Sequence, residues 1–87
     1  MPSKKDTYSR LSEVLYQDDP DMLVYGYRLN SRGRVIRPYL FRWYCHRQLL
    51  TSIQDEYGGG TYRLLIRKDR EMVFSGTIGI GAPARRR

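Results

Sequence analysis

In residues 46–68 the sequence reads HRQLLTSIQDEYGGGTYRLLIRK, and its hydrophobic period changes midway. The first half has apolar residues at helical spacing with polar side chains between them: Leu49, Leu50, Ile53 and Tyr57. This pattern predicts an amphipathic helix over 46–57. The glycines at 58–60 end it, and the first suits the left-handed conformation of a helix C-cap. From residue 61 the side chains alternate, with Tyr62, Leu64 and Ile66 on one side, which predicts a strand.

A second strand is expected directly after this one. Residues 68–71 are charged and have the composition of a turn. In the run that follows, 72–80, the apolar side chains share one side of the chain: Met72, Phe74, Ile78 and Ile80. The two runs together predict an antiparallel hairpin.

The N-terminal end predicts a short helix and a loop. Residues 7–16 place Tyr8, Leu11 and Leu15 three and four positions apart, and Asp6 precedes them as an N-cap. The helix should end before the acidic segment 18–21, because Pro20 disfavours helical geometry at the residue before it.

Another hairpin is expected between residues 22 and 44. In 22–29 the pattern has period two, with Val24, Gly26 and Arg28 on one face and four larger side chains on the other: Leu23, Tyr25, Tyr27 and Leu29. Turn residues at 30–33 lead into a second β-rich run, 34–44. Pro38 lacks an N–H group, so this strand should be bent there or lie at a sheet edge.

The order of elements predicts an α+β fold with an N-terminal helix followed by β-β-α-β-β. The simplest arrangement is a four-stranded antiparallel sheet with the 46–57 helix covering one face. At 87 residues there is room for a single domain, 1–87, and we expect 1–6 and 81–87 to be flexible tails.

Charge is the strongest functional signal. The net charge is +7, and residues 22–87 hold thirteen basic against four acidic residues. Thirteen of the sixteen basic residues in the chain are arginines, whose planar guanidinium groups pair with phosphate and stack on rings. This surplus favours a nucleic-acid partner.

The candidate contacts come from the expected uncovered sheet face, an arginine- and aromatic-rich segment and the C-terminal tail. Arginine pairs with phosphates and aromatic rings stack on unpaired bases, a combination typical of single-strand binding. Ser75 and Thr77 are expected on the uncovered face, on the same side as Arg63. The candidates are Arg28, Arg32, Arg34, Arg37, Arg42, Trp43, Arg47, Arg63, Arg67, Arg85, Arg86 and Arg87. Whether Tyr39, Phe41 and Trp43 stack on bases or pack in the core is open from sequence, as are DNA against RNA and single against double strand.

No catalytic, metal or cofactor site is expected. The glycines at 58–60 precede a strand and no Gly-Lys-Ser/Thr follows, so they do not form a phosphate-binding loop. Cys45 is the only cysteine and is expected to be buried; with His46 beside it on a strand, the two side chains would point apart. The aspartates at 18, 19 and 21 lack the spacing of a calcium loop.

A second hypothesis is a protein-interaction or assembly role. Tyrosine and arginine are also enriched at protein interfaces, so the same segment would suit a small subunit of a nucleoprotein particle or an inhibitor of a nucleic-acid-handling enzyme, with self-association possible. No apolar run is long enough to span a membrane and the N-terminus lacks a signal-peptide pattern, so we expect a cytoplasmic location.

Overall fold

The computed structural model of the chain describes residues 4–81, with side chains from Thr7 onward. Its elements, in chain order, are α1 Lys4–Tyr16, β1 Met22–Leu29, β2 Val35–Tyr44, α2 Leu49–Tyr57, β3 Gly60–Lys68 and β4 Glu71–Ile80. The predicted α+β class and the order of helices and strands are therefore confirmed. Of the tails expected at 1–6 and 81–87, residues 1–3 and 82–87 lie outside the described part of the chain, whereas residues 4–6 belong to α1.

The four strands form one antiparallel sheet in the order β2-β1-β3-β4. Each neighbouring pair is antiparallel, so β2 and β3 run in the same direction on either side of β1. Strands that run in the same direction need a crossover connection, and α2 supplies it between β2 and β3. Only β1 and β3 have a neighbour on both sides, which makes them the centre of the sheet.

The helix boundaries differ slightly from the predicted ones. Helix α1 begins at Lys4, so Asp6 lies inside it and is not its N-cap. Helix α2 begins at Leu49, three residues later than predicted, because residues 46–48 form a turn in which the Leu49 N–H donates to the His46 carbonyl. It ends at Tyr57 with Gly58 as its C-cap, as expected, but at φ 90° and ψ −177° this glycine does not have the expected left-handed helical conformation; its N–H donates to the Gln54 carbonyl.

The hydrophobic core draws on all six elements and on Cys45. Its members are Leu11, Val14, Leu15, Met22, Val24, Phe41, Cys45, Leu49, Ile53, Tyr62, Leu64, Ile66, Phe74, Ile78 and Ile80. Both helices therefore contribute buried side chains to the same cluster as the sheet. Tyr62 is fully buried, and its hydroxyl donates to the Gly58 carbonyl at 2.7 Å. Burial raises the pKa of this hydroxyl.

The side of β1 that meets the core is the reverse of the one that size and hydrophobicity suggest. Met22, Val24 and Gly26 are buried, whereas the tyrosines and leucines of this strand are only partly covered. A Cβ atom on Gly26 would lie 2.5 Å from the Phe41 ring and 2.8 Å from Leu64. Because Gly26 has no side chain, Phe41 and Leu64 fill the space beside it. The side of β1 that contains the glycine is therefore the one that packs tightly against its neighbours.

The same reversal corrects the position of Arg28, which was expected beside Arg63 and Arg67. It lies on the core side of β1, where Nη1 donates to the Tyr57 carbonyl at 3.2 Å and Nη2 to the Gly59 carbonyl at 2.6 Å. The last carbonyls of a helix have no partner within the helix and attract a cation, which explains this position. Gly60 makes room for the guanidinium, because a Cβ there would lie 2.7 Å from Arg28 Nε.

Two irregularities lie on the edge strands. In β2, residues 37–40 bulge out opposite Tyr27 alone, since Gly26 pairs with Phe41 and Arg28 with Ile36. This bulge contains Pro38, preceded by a cis peptide bond. In β4, a register shift pairs Arg67 with Met72. Met72 is therefore half exposed and lies on the opposite side from Phe74, although the alternation predicted that the two share a side.

Candidate nucleic-acid interface

The face of the sheet opposite the core, which we call the open face, is formed by alternate residues of the four strands. Its members are Val35, Arg42 and Tyr44 on β2; Leu23, Tyr25, Tyr27 and Leu29 on β1; Thr61, Arg63, Leu65 and Arg67 on β3; and Met72, Ser75, Thr77 and Gly79 on β4. None of them is buried and none belongs to the core cluster.

Strand register arranges these side chains in rows that cross the sheet, which we number by their β1 residue. Row 23 is Tyr44, Leu23, Arg67 and Met72; row 25 is Arg42, Tyr25, Leu65 and Ser75; and row 27 is Tyr27, Arg63 and Thr77. Each of these rows contains one tyrosine and one arginine. In rows 25 and 27 the two are directly opposite each other, where side chains touch across neighbouring strands. Row 29, with Leu29 and Thr61, contains neither residue type.

Among the side chains of residues 7–81, no carboxylate forms an ion pair with an arginine of the open face. The one ion pair among the side chains of residues 7–81 joins Lys68 to Asp19 at 2.7 Å, at the end of β3. Arg63 instead donates to the Ser75 hydroxyl at 3.2 Å, a neutral contact that leaves its charge uncompensated. The predicted surplus of cations therefore remains available to an external anion at these positions.

Acidic residues limit the open face at one end. A shallow depression of about 270 Å³ is lined by Leu23, Tyr25 and Arg67 together with Asp21 and Asp69. Asp21 immediately precedes β1, and Asp69 lies in the turn after β3. Two carboxylates here repel a phosphate, so the cationic part of the face begins at Arg67 and extends towards Arg63.

Three other predicted residues lie away from the rows, on the β1–β2 hairpin and the β2 bulge. Arg32 and Arg34 are exposed in the hairpin turn, where both backbone N–H groups donate to the Asn30 side chain at 2.9 Å. Arg37 is exposed at the start of the bulge and lines a groove of about 430 Å³ together with Tyr39 and Tyr57.

The three aromatic residues of β2 have different surroundings. Phe41 is buried in the core and stacks on Tyr57 at 5.2 Å between ring centroids. Trp43 is half-buried opposite Val24, on the core side, with its ring edge-on to Tyr57 at 6.4 Å. Tyr39 is 61% exposed in the bulge. Trp43 is therefore not part of the open face, which corrects its grouping with the arginines there.

The remaining predicted contacts are on the far side of the molecule or outside the description. The Arg47 guanidinium lies over the Tyr16 ring at 4.7 Å and donates to the Tyr16 carbonyl, which ties it to the end of α1. Arg85, Arg86 and Arg87 lie outside the described residues. Of the twelve candidates, the structure brings together Arg42, Arg63 and Arg67.

Sequence reasoning missed Tyr25 and Tyr27 as candidates, and it included Tyr44 only as a member of the arginine- and aromatic-rich segment. The first two were placed on the core side because their strand alternates large against small side chains, and large residues usually pack inside. Gly26 was the signal that would have found them. A glycine within a central strand marks a close approach of neighbouring side chains, and that approach occurs on the packed side.

No group of three or more His, Cys, Asp or Glu side chains among the described residues is arranged to hold a metal ion. Cys45 is buried, as predicted; burial and the nearby Asp18 and Asp19 raise the pKa of its thiol to about 11. A thiol with this pKa is protonated at neutral pH and is a poor nucleophile.

Neither described helix has the length and apolar character required to cross a bilayer. Comparison of the chain with protein-family models, with curated proteins and with solved structures found no match.

Proposed function

We propose that the protein is a non-enzymatic binding module for single-stranded nucleic acid and that the open face is its binding surface. Arg42, Arg63 and Arg67 pair with phosphates, while Tyr25, Tyr27 and Tyr44 stack on bases. The arginine-rich residues 85–87 add further phosphate contacts.

One observation carries the proposal: each of three neighbouring rows on an unburied sheet face contains one tyrosine and one arginine without a carboxylate partner. The two groups match the two parts of a nucleotide, since guanidinium binds phosphate and an aromatic ring stacks on a base. Stacking contributes about 1–3 kcal/mol per base and does not depend strongly on which base it is.

The proposal also includes the finer arrangement of the fold. In it, α2 packs across the core side of the sheet together with α1, so that neither helix obstructs the open face. Leu49 and Ile53 of α2 support this arrangement because both are buried in the cluster that contains Leu64 and Ile66.

The test is fluorescence anisotropy with labelled eight-nucleotide DNA and RNA strands over a series of salt concentrations. We expect log affinity to fall linearly with log salt concentration. Arg63→Gln removes one phosphate contact and should reduce the magnitude of the slope by about 0.7. Arg10→Gln is the matched control, because Arg10 is exposed and lies over Phe74 on the core side.

Two results contradict the proposal. One is no binding to either strand at low salt. The other is an equal change of slope in the two variants, which would mean that the position of the charge on the molecule does not matter.

A protein-binding role remains the second candidate because the open face also contains apolar side chains. Leu23, Leu65 and Met72 lie among the tyrosines and arginines, and Met72 is half exposed. A face of this mixed character also suits a protein partner or a second copy of the chain. Light scattering after size-exclusion chromatography separates the two roles: self-association without oligonucleotide binding favours the protein partner.

A further inference from the structure

The spacing of the rows carries an inference about the state of the bound strand. We infer that the open face holds three consecutive nucleotides whose bases are unstacked from one another, one nucleotide for each row, and that weakly stacked pyrimidine segments are the preferred ligands. The inference rests on the proposed function and deepens it.

The first step is the backbone spacing of Tyr25 and Tyr27 along β1, which sets the separation of the bases that stack on them. Tyr25 and Tyr27 are two residues apart on β1, which corresponds to about 6.8 Å along a strand. Bases in a duplex lie about 3.4 Å apart along each strand. Two bases that stack on these two rings are therefore separated by roughly twice the stacking distance and cannot stack on each other. A double helix does not allow this separation, but a single strand does.

The second step is the limit on the number of nucleotides. Beyond row 27 the next row offers Leu29 and Thr61, which provide neither a ring nor a charge. Beyond row 23 lie Asp21 and Asp69, whose carboxylates repel phosphate. The rows that offer both a ring and an arginine are therefore three in number.

The rows are not equivalent. In rows 25 and 27 the tyrosine and arginine are on neighbouring strands, about 4.8 Å apart. In row 23, Leu23 separates Tyr44 from Arg67, which doubles that distance to roughly 10 Å. The nucleotide in row 23 has its base and phosphate contacts furthest apart, so it contributes the smallest part of the affinity.

The third step concerns the class of base. A strand must lose its base–base stacking before its bases can separate onto different rings. Adenine runs stack strongly in the free strand and pyrimidine runs stack weakly, so the loss is smallest for pyrimidines. The identity of the bases therefore affects affinity through the stacking that the free strand loses on binding, and no hydrogen bonds to base edges are required.

The experiment keeps the number of phosphates constant and varies only the number of bases. Eight-nucleotide DNA strands are made abasic except for zero to five consecutive thymines, and each is titrated against the full chain by fluorescence anisotropy. The dissociation constant should fall roughly tenfold with each of the first two thymines, by less with the third, and then level off. A trio of adenines in the same abasic strand should bind several-fold more weakly than the trio of thymines.

Two variants test the assignment to rows. Tyr27→Leu removes the ring of row 27, so the affinity should level off at two thymines. Tyr39→Leu, at an exposed tyrosine of the β2 bulge outside the rows, is the matched control and should level off at three. Thermal unfolding followed by circular dichroism verifies that both variants are folded.

Four results overturn the inference: affinity that does not depend on the number of thymines, gains that continue equally for the fourth and fifth, adenines that bind as tightly as thymines, or levelling at three thymines in Tyr27→Leu. Failure of the proposed function looks different, because the full chain would then not bind an all-thymine strand at low salt either.

Discussion

The two faces of the sheet are made by the same strands and by alternate residues, yet they have opposite chemistry. The core side has aliphatic and aromatic residues that are fully buried, such as Leu64 and Ile66 of β3. The open face, one residue along the same strand, has Arg63, Leu65 and Arg67, none of them buried. A strand with period two can therefore carry stability on one side and recognition on the other.

The largest expected effect compares Leu64 with Leu65, adjacent leucines on opposite faces. Leu64→Ala removes a fully buried side chain and should lower the free energy of unfolding by about 2–5 kcal/mol. Leu65→Ala removes a partly exposed one and should cost about 1 kcal/mol or less. Urea unfolding of the two variants gives the difference. Equal losses would mean that something also packs on the open face.

The second comparison uses two glycines of the sheet. Gly26→Ala adds a methyl group 2.5 Å from the Phe41 ring, and the overpacking should cost about 1–3 kcal/mol. Gly79→Ala meets only the Tyr8 hydroxyl at 3.8 Å, so its free energy of unfolding should stay within about 0.5 kcal/mol of the wild-type value. The same unfolding assay applies. If the alanine at 26 is tolerated as well as the one at 79, the tight approach of Phe41 is not essential.

The third comparison sets Arg28 against Arg63, which occupy opposite sides of the sheet. Arg28→Gln loses two hydrogen bonds to carbonyls at the end of α2, and because the side chain is half-buried we expect a loss of about 1–2 kcal/mol in stability. It should leave oligonucleotide affinity nearly unchanged. Arg63→Gln should do the reverse. Both variants are measured by denaturation and by anisotropy. If both lose oligonucleotide affinity, Arg28 is part of the binding surface after all.

The smallest expected effect concerns the ion pair between Asp19 and Lys68, which belongs to neither face. The side-chain hydrogen bond with Lys68 lowers the pKa of Asp19 below its usual 3.8, and the same bond raises the pKa of Lys68 above its usual 10.5. The contribution of Asp19 is thus complete above pH 3.8 and is lost as the pH falls through its lowered pKa. The contribution of Lys68 is complete below pH 10.5 and is lost as the pH rises through its raised pKa.

Asp19→Asn removes the pair without changing the shape of the side chain. Its stability deficit, measured by thermal unfolding between pH 2 and pH 8, should be small at neutral pH, since Lys68 is exposed and Asp19 is partly exposed, and should vanish at the acidic end. The Asp21 N–H donates to Asp19 Oδ1, and asparagine keeps that acceptor, so a deficit that persists below the pKa of Asp19 would mean that loss of the ion pair is not its cause.

Hydrophobic period was sufficient to predict the order of the elements and most of their limits. The change from helical to alternating spacing at the three glycines is the clearest case, because backbone geometry fixes these periods locally. The faces of β3 also followed from the alternation. The order of the strands in the sheet did not follow from the alternation, since it depends on which distant segments pair with each other.

The candidate site was predicted only in part. Arg63 and Arg67 were placed correctly because β3 alternates large apolar residues with charged ones. In β1 both sides carry residues that are able to pack in the core, so the prediction from hydrophobicity alone assigned the wrong side to the core. Arg28 and the tyrosines of β1 were therefore each assigned to the wrong face. The choice depends on the shape of Phe41 and Leu64 on the neighbouring strands, which the sequence of β1 does not contain.

The bulge at residues 37–40 gives β2 a tolerance to changes in length that the two central strands lack. Pairing resumes with Ile36 on one side and Phe41 on the other, and Tyr39 and Leu40 point into solvent. A residue inserted here lengthens the excursion without altering either register, whereas an insertion in β3 would turn every later side chain to the opposite face. A short peptide tag or a reporter group would therefore be accommodated within this edge strand, next to the rows but outside them.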